Sequence, residues 1–368
     1  MGHTALAVIG LGRSLVIHVR RGSALKPFAF AVLASCALAW PGAATAQQKP
    51  ADPGLLTVEL GDVSLTKLPF IMAADYGIYE RNGLKVRQYI TPSAAKAVEA
   101  RGVKVPPENI GREEGIINIG GGSPTMVRMH SVATAPHRVI LATTDIYSRF
   151  HMLSRSDIKT AADVKGKRFG YGNPGALSHF SELMYLRSIG LDPENDVEMY
   201  QNGGEIEQVL QGKVDIIAAN GITVEEAKKH GLNDLHNLIP DKVHMPGSGV
   251  NVLKEWLPKN RDVAARFIKA TVEAIALMKN DKEKAFASMR KWYGINENAV
   301  LEGVYAEAVD LPIKPYPSIE GLKNMQLVYK WRAIAQKKPE DFVDASFVTE
   351  LDKSGYIDSL YTKTSGTK

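Results

Sequence analysis

From residue 55 onward the chain alternates short apolar runs with stretches of helical periodicity, twice over, and then becomes almost wholly helical. Residues 55–60 read as a strand, 68–79 as a helix closed near Gly83, 84–90 as a second strand and 93–101 as a helix. Residues 116–119 read as a third strand running into Gly120, Gly121, Gly122 and Ser123, with a helix beginning over 125–130. A second unit starts near Asp163, with strands at 167–171, 196–200 and 214–218 and helices at 178–188 and 205–210. Strands alternating with helices predict an α/β fold of mainly parallel sheets flanked by helices. After Gly249 the segments 262–279, 281–293, 297–308, 319–336 and 345–353 are helical. This order predicts a chain that leaves its first lobe and later returns to it, crossing a hinge near 143–150 and near 245–251. The expected division is 47–146 plus 246–368 for lobe I and 147–245 for lobe II.

The first 46 residues follow a different logic. They carry Arg13, Arg20, Arg21 and Lys26 and no acidic residue, then an apolar stretch over 27–40, then Ala44-Thr45-Ala46. A basic region, a short apolar core and a small-x-small site specify a secretory signal peptide, and the apolar core falls short of the ~20 residues that span a bilayer. Removing those four positive charges lowers the formal net charge from +5 to +1. The basic balance of the whole sequence is therefore no argument for nucleic acid. The single cysteine, Cys36, lies inside this segment, where Leu33-Ala34-Ser35-Cys36 offers lipid anchoring as an alternative to simple cleavage. A mature chain without cysteine has no disulfide, thiolate nucleophile or thiolate metal site.

In parallel α/β sheets ligands bind where strand ends lead into helix N-termini, which present free N–H groups and partial positive charge. Four strand ends carry small, hydroxyl or amide residues: Ser64, Leu65 and Thr66; Gly121, Gly122 and Ser123; Asn173, Gly175, Ala176, Ser178 and His179; and Asn220, Gly221 and Thr223. Glycine and serine also serve turn chemistry alone, so it is the set of four in two similar units that points to a pocket. Tyr147 and Arg149 fall near the first crossing, where a ring could shape the pocket and a guanidinium could pair with an acid. His151 is a further polar candidate.

Catalytic signatures are missing. Gly10-Leu11-Gly12 lacks the third glycine and the βαβ context of a dinucleotide site. The sequence has no phosphate-loop pattern, no Gly-x-Ser-x-Gly elbow and no histidine pair at metal-ligand spacing on a helix. No enzyme activity, metal or cofactor is expected.

Leu68-Pro69-Phe70, Tyr76-Gly77-Ile78-Tyr79 and Asn82-Gly83-Leu84 form a recognisable series. The run from Ile158 to Lys167, Gly190-Leu191, and Gly212-Lys213-Val214-Asp215 continue it in order. Together they resemble the periplasmic solute-binding proteins of ABC importers, of the sulfonate, taurine, nitrate and thiamine-pyrimidine-precursor type. The resemblance implies the two-lobed type II binding-protein fold and a small-molecule ligand in the cleft at the four loops named above. It further implies a monomer located in the periplasm and an ABC permease in the inner membrane as partner. The sequence departs from the family at Thr91-Pro92-Ser93, at the loop 106–109 and at Asn220-Gly221-Ile222. Sulfonate, carboxylate and pyrimidine ligands stay open. A sensory binding protein for a membrane receptor is an alternative, as is an enzyme like the thiamine-pyrimidine synthases, whose cysteine-rich motif the mature chain lacks.

Overall fold

The protein is described by a computed structural model covering residues 54–120, 137–329 and 331–362. The segment expected as a signal peptide, Gly121–Ser123 and the helix expected over 125–130 lie outside the described residues. Ala51–Lys368 forms one compact unit.

Two five-stranded sheets organise it. The first contains β1 (Leu56–Gly61), β2 (Val86–Ile90), β3 (Ile117–Asn118), β4 (Arg138–Thr143) and β10 (Gly249–Leu253), in the order β2-β1-β3-β10-β4. The second contains β5 (His151–Ser154), β6 (Arg168–Tyr171), β7 (Glu198–Gln201), β8 (Ile216–Ala219) and β9 (Asn233–Asn237), in the order β7-β6-β8-β5-β9. Each sheet is mixed rather than simply parallel. β10 runs antiparallel to β3 and β4, and β5 antiparallel to β8 and β9. The reversed strand is in both cases the one that follows a passage between the sheets, because the chain re-enters from the opposite end.

Those passages are residues 144–150, between β4 and β5, and 238–248, between β9 and β10. The second begins earlier than the sequence predicts, and 249–253 is a sheet strand. The two run antiparallel and are bonded to each other. Ser148 N–H donates to Val243 O (2.8 Å), Met245 N–H to Ile146 O (3.0 Å) and Thr144 N–H to Ser248 O (2.7 Å), while Tyr147 and His244 form a bridge. Their closeness requires glycine: a Cβ on Gly247 would stand 2.0 Å from the Asp145 carbonyl oxygen.

Helices clothe the first sheet. α1 (Leu68–Asp75) and α2 (Ile78–Arg81) replace the single helix expected over 68–79, because Gly77 turns left-handed (φ +63°) between them. α3 (Pro92–Glu99) is capped by Thr91, whose hydroxyl accepts from Ala94 N–H. On the second sheet lie α4 (Leu177–Ser188), α5 (Ile206–Leu210) and α6 (Ile222–Lys229). α7 (Arg261–Asn280), α8 (Lys282–Tyr293) and α9 (Asn298–Ala308) then return to the first sheet, and their buried faces join its main apolar core.

The region expected as one helix over 319–336 is split into α10 (Ile319–Val328) and α11 (Arg332–Ala335). Leu322 and Met325 of α10 share a buried cluster with Ile140 of β4, Phe180 and Leu183 of α4, Met245 of the second passage, and Tyr329, Ile334 and Phe342. This cluster spans elements of both sheets. α12 (Ser346–Lys353) and α13 (Tyr356–Ser359) end the described chain.

Candidate functional site

At the end of β1, Gly61 adopts φ +78°, and the chain enters a short 3-10 turn (Leu65–Lys67) ahead of α1. Ser64 precedes that turn without capping it; its hydroxyl lies 3.3 Å from the Thr66 hydroxyl. Thr66 in turn shares a 2.7 Å hydrogen bond with the hydroxyl of Ser248 in the second passage. Lys67, only 4% exposed, donates to Ser248 Oγ (3.0 Å) and to the Ile119 carbonyl at the end of β3. Burial lowers the Lys67 ammonium from its ordinary value, against the raising influence of Asp62, Asp145 and Glu59. Tyr293 of α8 donates to the Ser64 carbonyl (2.9 Å). The loop is thus tied to β3, to α8 and to the second passage by polar contacts with little exposure.

At the end of β8, Gly221 stands at φ 55°, ψ −129°, a region open to glycine and strained for other residues. It turns the chain into α6, so that Asn220, Gly221 and Thr223 face a cavity of about 150 Å³. The opposite wall is Val63, Ser64, Leu65 and Thr66. Pockets for drug-sized ligands run to roughly 300–1,000 Å³, so this one suits a solute of few heavy atoms. Arg101, Tyr293, Val304 and Glu307 complete the walls on the side of the first sheet, and Arg149 does so from the first passage.

Arg149 is no surface arginine: it is 4% exposed and held by two carboxylates. Nε donates to Asp145 Oδ1 (3.0 Å) and Nη2 to Asp310 Oδ2 (3.1 Å). Burial pushes Asp145 up to about 6, against the opposing pull of Arg149 and Lys67. Against its partial burial, Asp310 is held below the usual carboxylate value by Arg149 and Lys242. Burial raises Glu307, with Arg149 and His151 opposing.

The cavity therefore brings together seven sequence-predicted residues: Ser64, Leu65, Thr66, Arg149, Asn220, Gly221 and Thr223. The third loop stands elsewhere. His179 stacks on Tyr171 (ring centroids 4.1 Å apart) and its Nδ1 is hydrogen-bonded to the Tyr329 hydroxyl (3.0 Å). Burial pulls its imidazole down to about 4, so it is neutral at physiological pH. With Pro174 it lines a separate cavity of about 880 Å³, walled by α4, β7 and the segment after α10. Asn173, Gly175, Ala176 and Ser178 line neither cavity; Ala176 is the N-terminal boundary residue of α4 and its N–H donates to the Asn173 carbonyl. Tyr147 faces His244, ring to ring at 4.7 Å, with the Lys242 ammonium 5.2 Å from its ring centre. His151 is 2.8 Å from Asp234, on the β5–β9 edge. Gly121, Gly122 and Ser123 lie outside the described residues.

Arg101, Tyr293 and Glu307 were not anticipated. Each sits on or just after a helix remote in sequence, and no local pattern distinguishes it from a solvated face.

Among the described residues, no group of three or more His, Cys, Asp or Glu side chains could hold a metal ion. The chain matches no curated protein. Residues 66–285, well over half of it, match the family described as NMT1/THI5 like. Among solved structures it is similar to the alkanesulfonate-binding protein SsuA from Xanthomonas axonopodis pv. citri bound to MOPS. The TM-score is 0.60 at 17% identity, over 80% of this chain and 99% of that one. The periplasmic nitrate-binding protein NrtA from Synechocystis PCC 6803 gives 0.61 at 11% identity, over 84% and 91%. The desulfurization enzyme DSZB gives 0.54 at 14% identity, over 82% and 99%. At such identities the likeness is one of fold. The chain has the periplasmic-binding-protein fold and belongs to the NMT1/THI5-like family.

Proposed function

We propose that this protein is the exported solute-binding component of an ABC importer, capturing a small organic molecule between two lobes and delivering it to the permease. The observation that carries this reading is the cavity itself, walled by the end of β1 on one sheet and the end of β8 on the other. It adjoins a pair of bonded passages able to act as a hinge. Lobe I comprises 47–146 and 246–368, and lobe II 147–245. The leader directs the chain to the periplasm, where it works as a monomer. No helix among the described residues is long and apolar enough to cross a membrane. DSZB has a similar fold, so fold alone admits catalysis; the cysteine-free mature sequence and a cavity walled by hydroxyl, amide and ion-paired groups favour capture. Mass spectrometry of whatever co-purifies with the protein tests the proposal. A stoichiometric small molecule is expected, whose removal lowers the melting temperature and whose return restores it. A protein to which no small organic molecule returns stability would contradict it.

A further inference from the structure

The cavity of about 880 Å³ shares no lining residue with the one between the ends of β1 and β8. Its size falls within the roughly 300–1,000 Å³ of pockets that hold drug-sized molecules. One wall is a ladder of four rings. Tyr171 stacks on His179 (centroids 4.1 Å, planes 17° apart), His179 tilts against Tyr329 (5.4 Å), and Tyr329 stacks on Trp331 (4.4 Å, 26°). All four rings line the cavity, the inner two buried and the outer two half-buried.

The ladder carries one polar group that is not engaged. Burial raises the Tyr329 hydroxyl, so it keeps its proton, and the Gly175 backbone N–H donates to its oxygen. The hydroxyl proton is then directed at His179 Nδ1, 3.0 Å away. Since this imidazole is neutral at physiological pH, its own proton sits on Nε2. That N–H makes no hydrogen bond among the described residues. At the rim stand Arg187 on α4 and Asp192 and Glu194 on the turn after it, charges of both signs that set no demand for an ion of either kind. A flat aromatic molecule gains from stacking as well as from leaving water, and a puckered one of the same size forfeits the stacking. We propose that this cavity is a second ligand site, taking an uncharged planar heteroaromatic molecule that lies against the ring ladder and offers a carbonyl oxygen or ring nitrogen to His179 Nε2–H. The site stands apart from the capture reading, with which it shares neither walls nor chemistry.

Quinolin-2-one and its saturated counterpart, decahydroquinolin-2-one, carry the same lactam on a flat and on a puckered frame. Titrated calorimetrically into the purified protein, the flat lactam should bind at least about tenfold more tightly and raise the melting temperature. Trp331→Leu should weaken its binding about tenfold by removing a stacking face. His179→Phe, which keeps a ring but not the N–H, should weaken it about fivefold. Ligand-free melting temperatures confirm that both variants fold. Equal binding of the two lactams, or binding of neither, would overturn the proposal. Binding of the flat lactam that is unchanged in Trp331→Leu would do the same, because the lactam would then sit elsewhere. So would sedimentation equilibrium showing a dimer that Trp331→Leu dissociates, since a second copy of the chain would then be the occupant.

Discussion

The ends of β6 and β8 lie in the same sheet, each leads into a helix, and each carries a glycine with positive φ: Gly175 at +83° and Gly221 at +55°. Only the β8 end lines the small cavity facing the β1 loop. The β6 end is roofed by aromatic rings in sequence, Tyr171 on His179, His179 against Tyr329, and Tyr329 on Trp331, two of them from the segment after α10. Local chemistry thus makes both loops candidates, and the tertiary roof separates them. The β6 end instead lines the separate cavity of about 880 Å³, which shares no lining residue with the one at the β1 loop.

The sharpest way to break this contrast is to remove the roof. Tyr329 is 3% exposed and belongs to the cluster that spans both sheets. Tyr329→Ala should cost about 3–5 kcal/mol in urea denaturation, as large aromatic truncations do. Tyr329→Phe, which loses the hydroxyl's hydrogen bonds to His179 and the Gly175 backbone, should cost about 1–2 kcal/mol. Neither should weaken ligand binding per folded molecule if the β8 end alone carries the site. A smaller effect is expected at the glycines. Gly221→Ala should cost about 1–3 kcal/mol through backbone strain and also impair binding. Gly172→Ala, with open space around the new methyl, should stay within about 0.5 kcal/mol.

The smallest change concerns the link between the two loops. Glu182 of α4 is fully buried; its Oε1 accepts from Ala218 N–H of β8 (3.0 Å), and Oε2 has no partner among the described residues. Burial raises its carboxyl well above the ordinary 4.5. The folded state therefore holds a proton that the unfolded state releases near pH 4.5, so this carboxyl's contribution to stability is greatest below that pH and declines as pH rises toward the folded value. Glu182→Gln should remove this decline: its melting temperature should match the parent at pH 4 and exceed it at pH 8.

Much of this architecture can be read from the sequence, for identifiable reasons. β1 alternates buried and half-buried residues, and α7 to α9 carry long periodic faces, so their limits lie within a residue or two of expectation. β4 escaped notice because it opens on Arg138, a guanidinium 1% exposed that donates to the carbonyls of Gly115, Ile116 and Asn251. β9 is a polar edge strand with no apolar rhythm. The helix expected over 319–336 breaks where Tyr329 turns extended (φ −103°, ψ 99°) and joins the aromatic roof, a tertiary preference overriding a local one. The site divides likewise. Ser64–Thr66 and Asn220–Thr223 announce themselves as strand-end loops, whereas Arg101, Tyr293 and Glu307 reach the cavity through packing that no short window of sequence contains.

Amide hydrogen exchange, followed with and without the small molecule that most stabilises the protein, bears most directly on where the ligand sits. Bound ligand should protect residues 62–66 and 220–224 together and leave 173–179 unchanged. Protection confined to 173–179, with both cavity loops exchanging as before, would contradict the account.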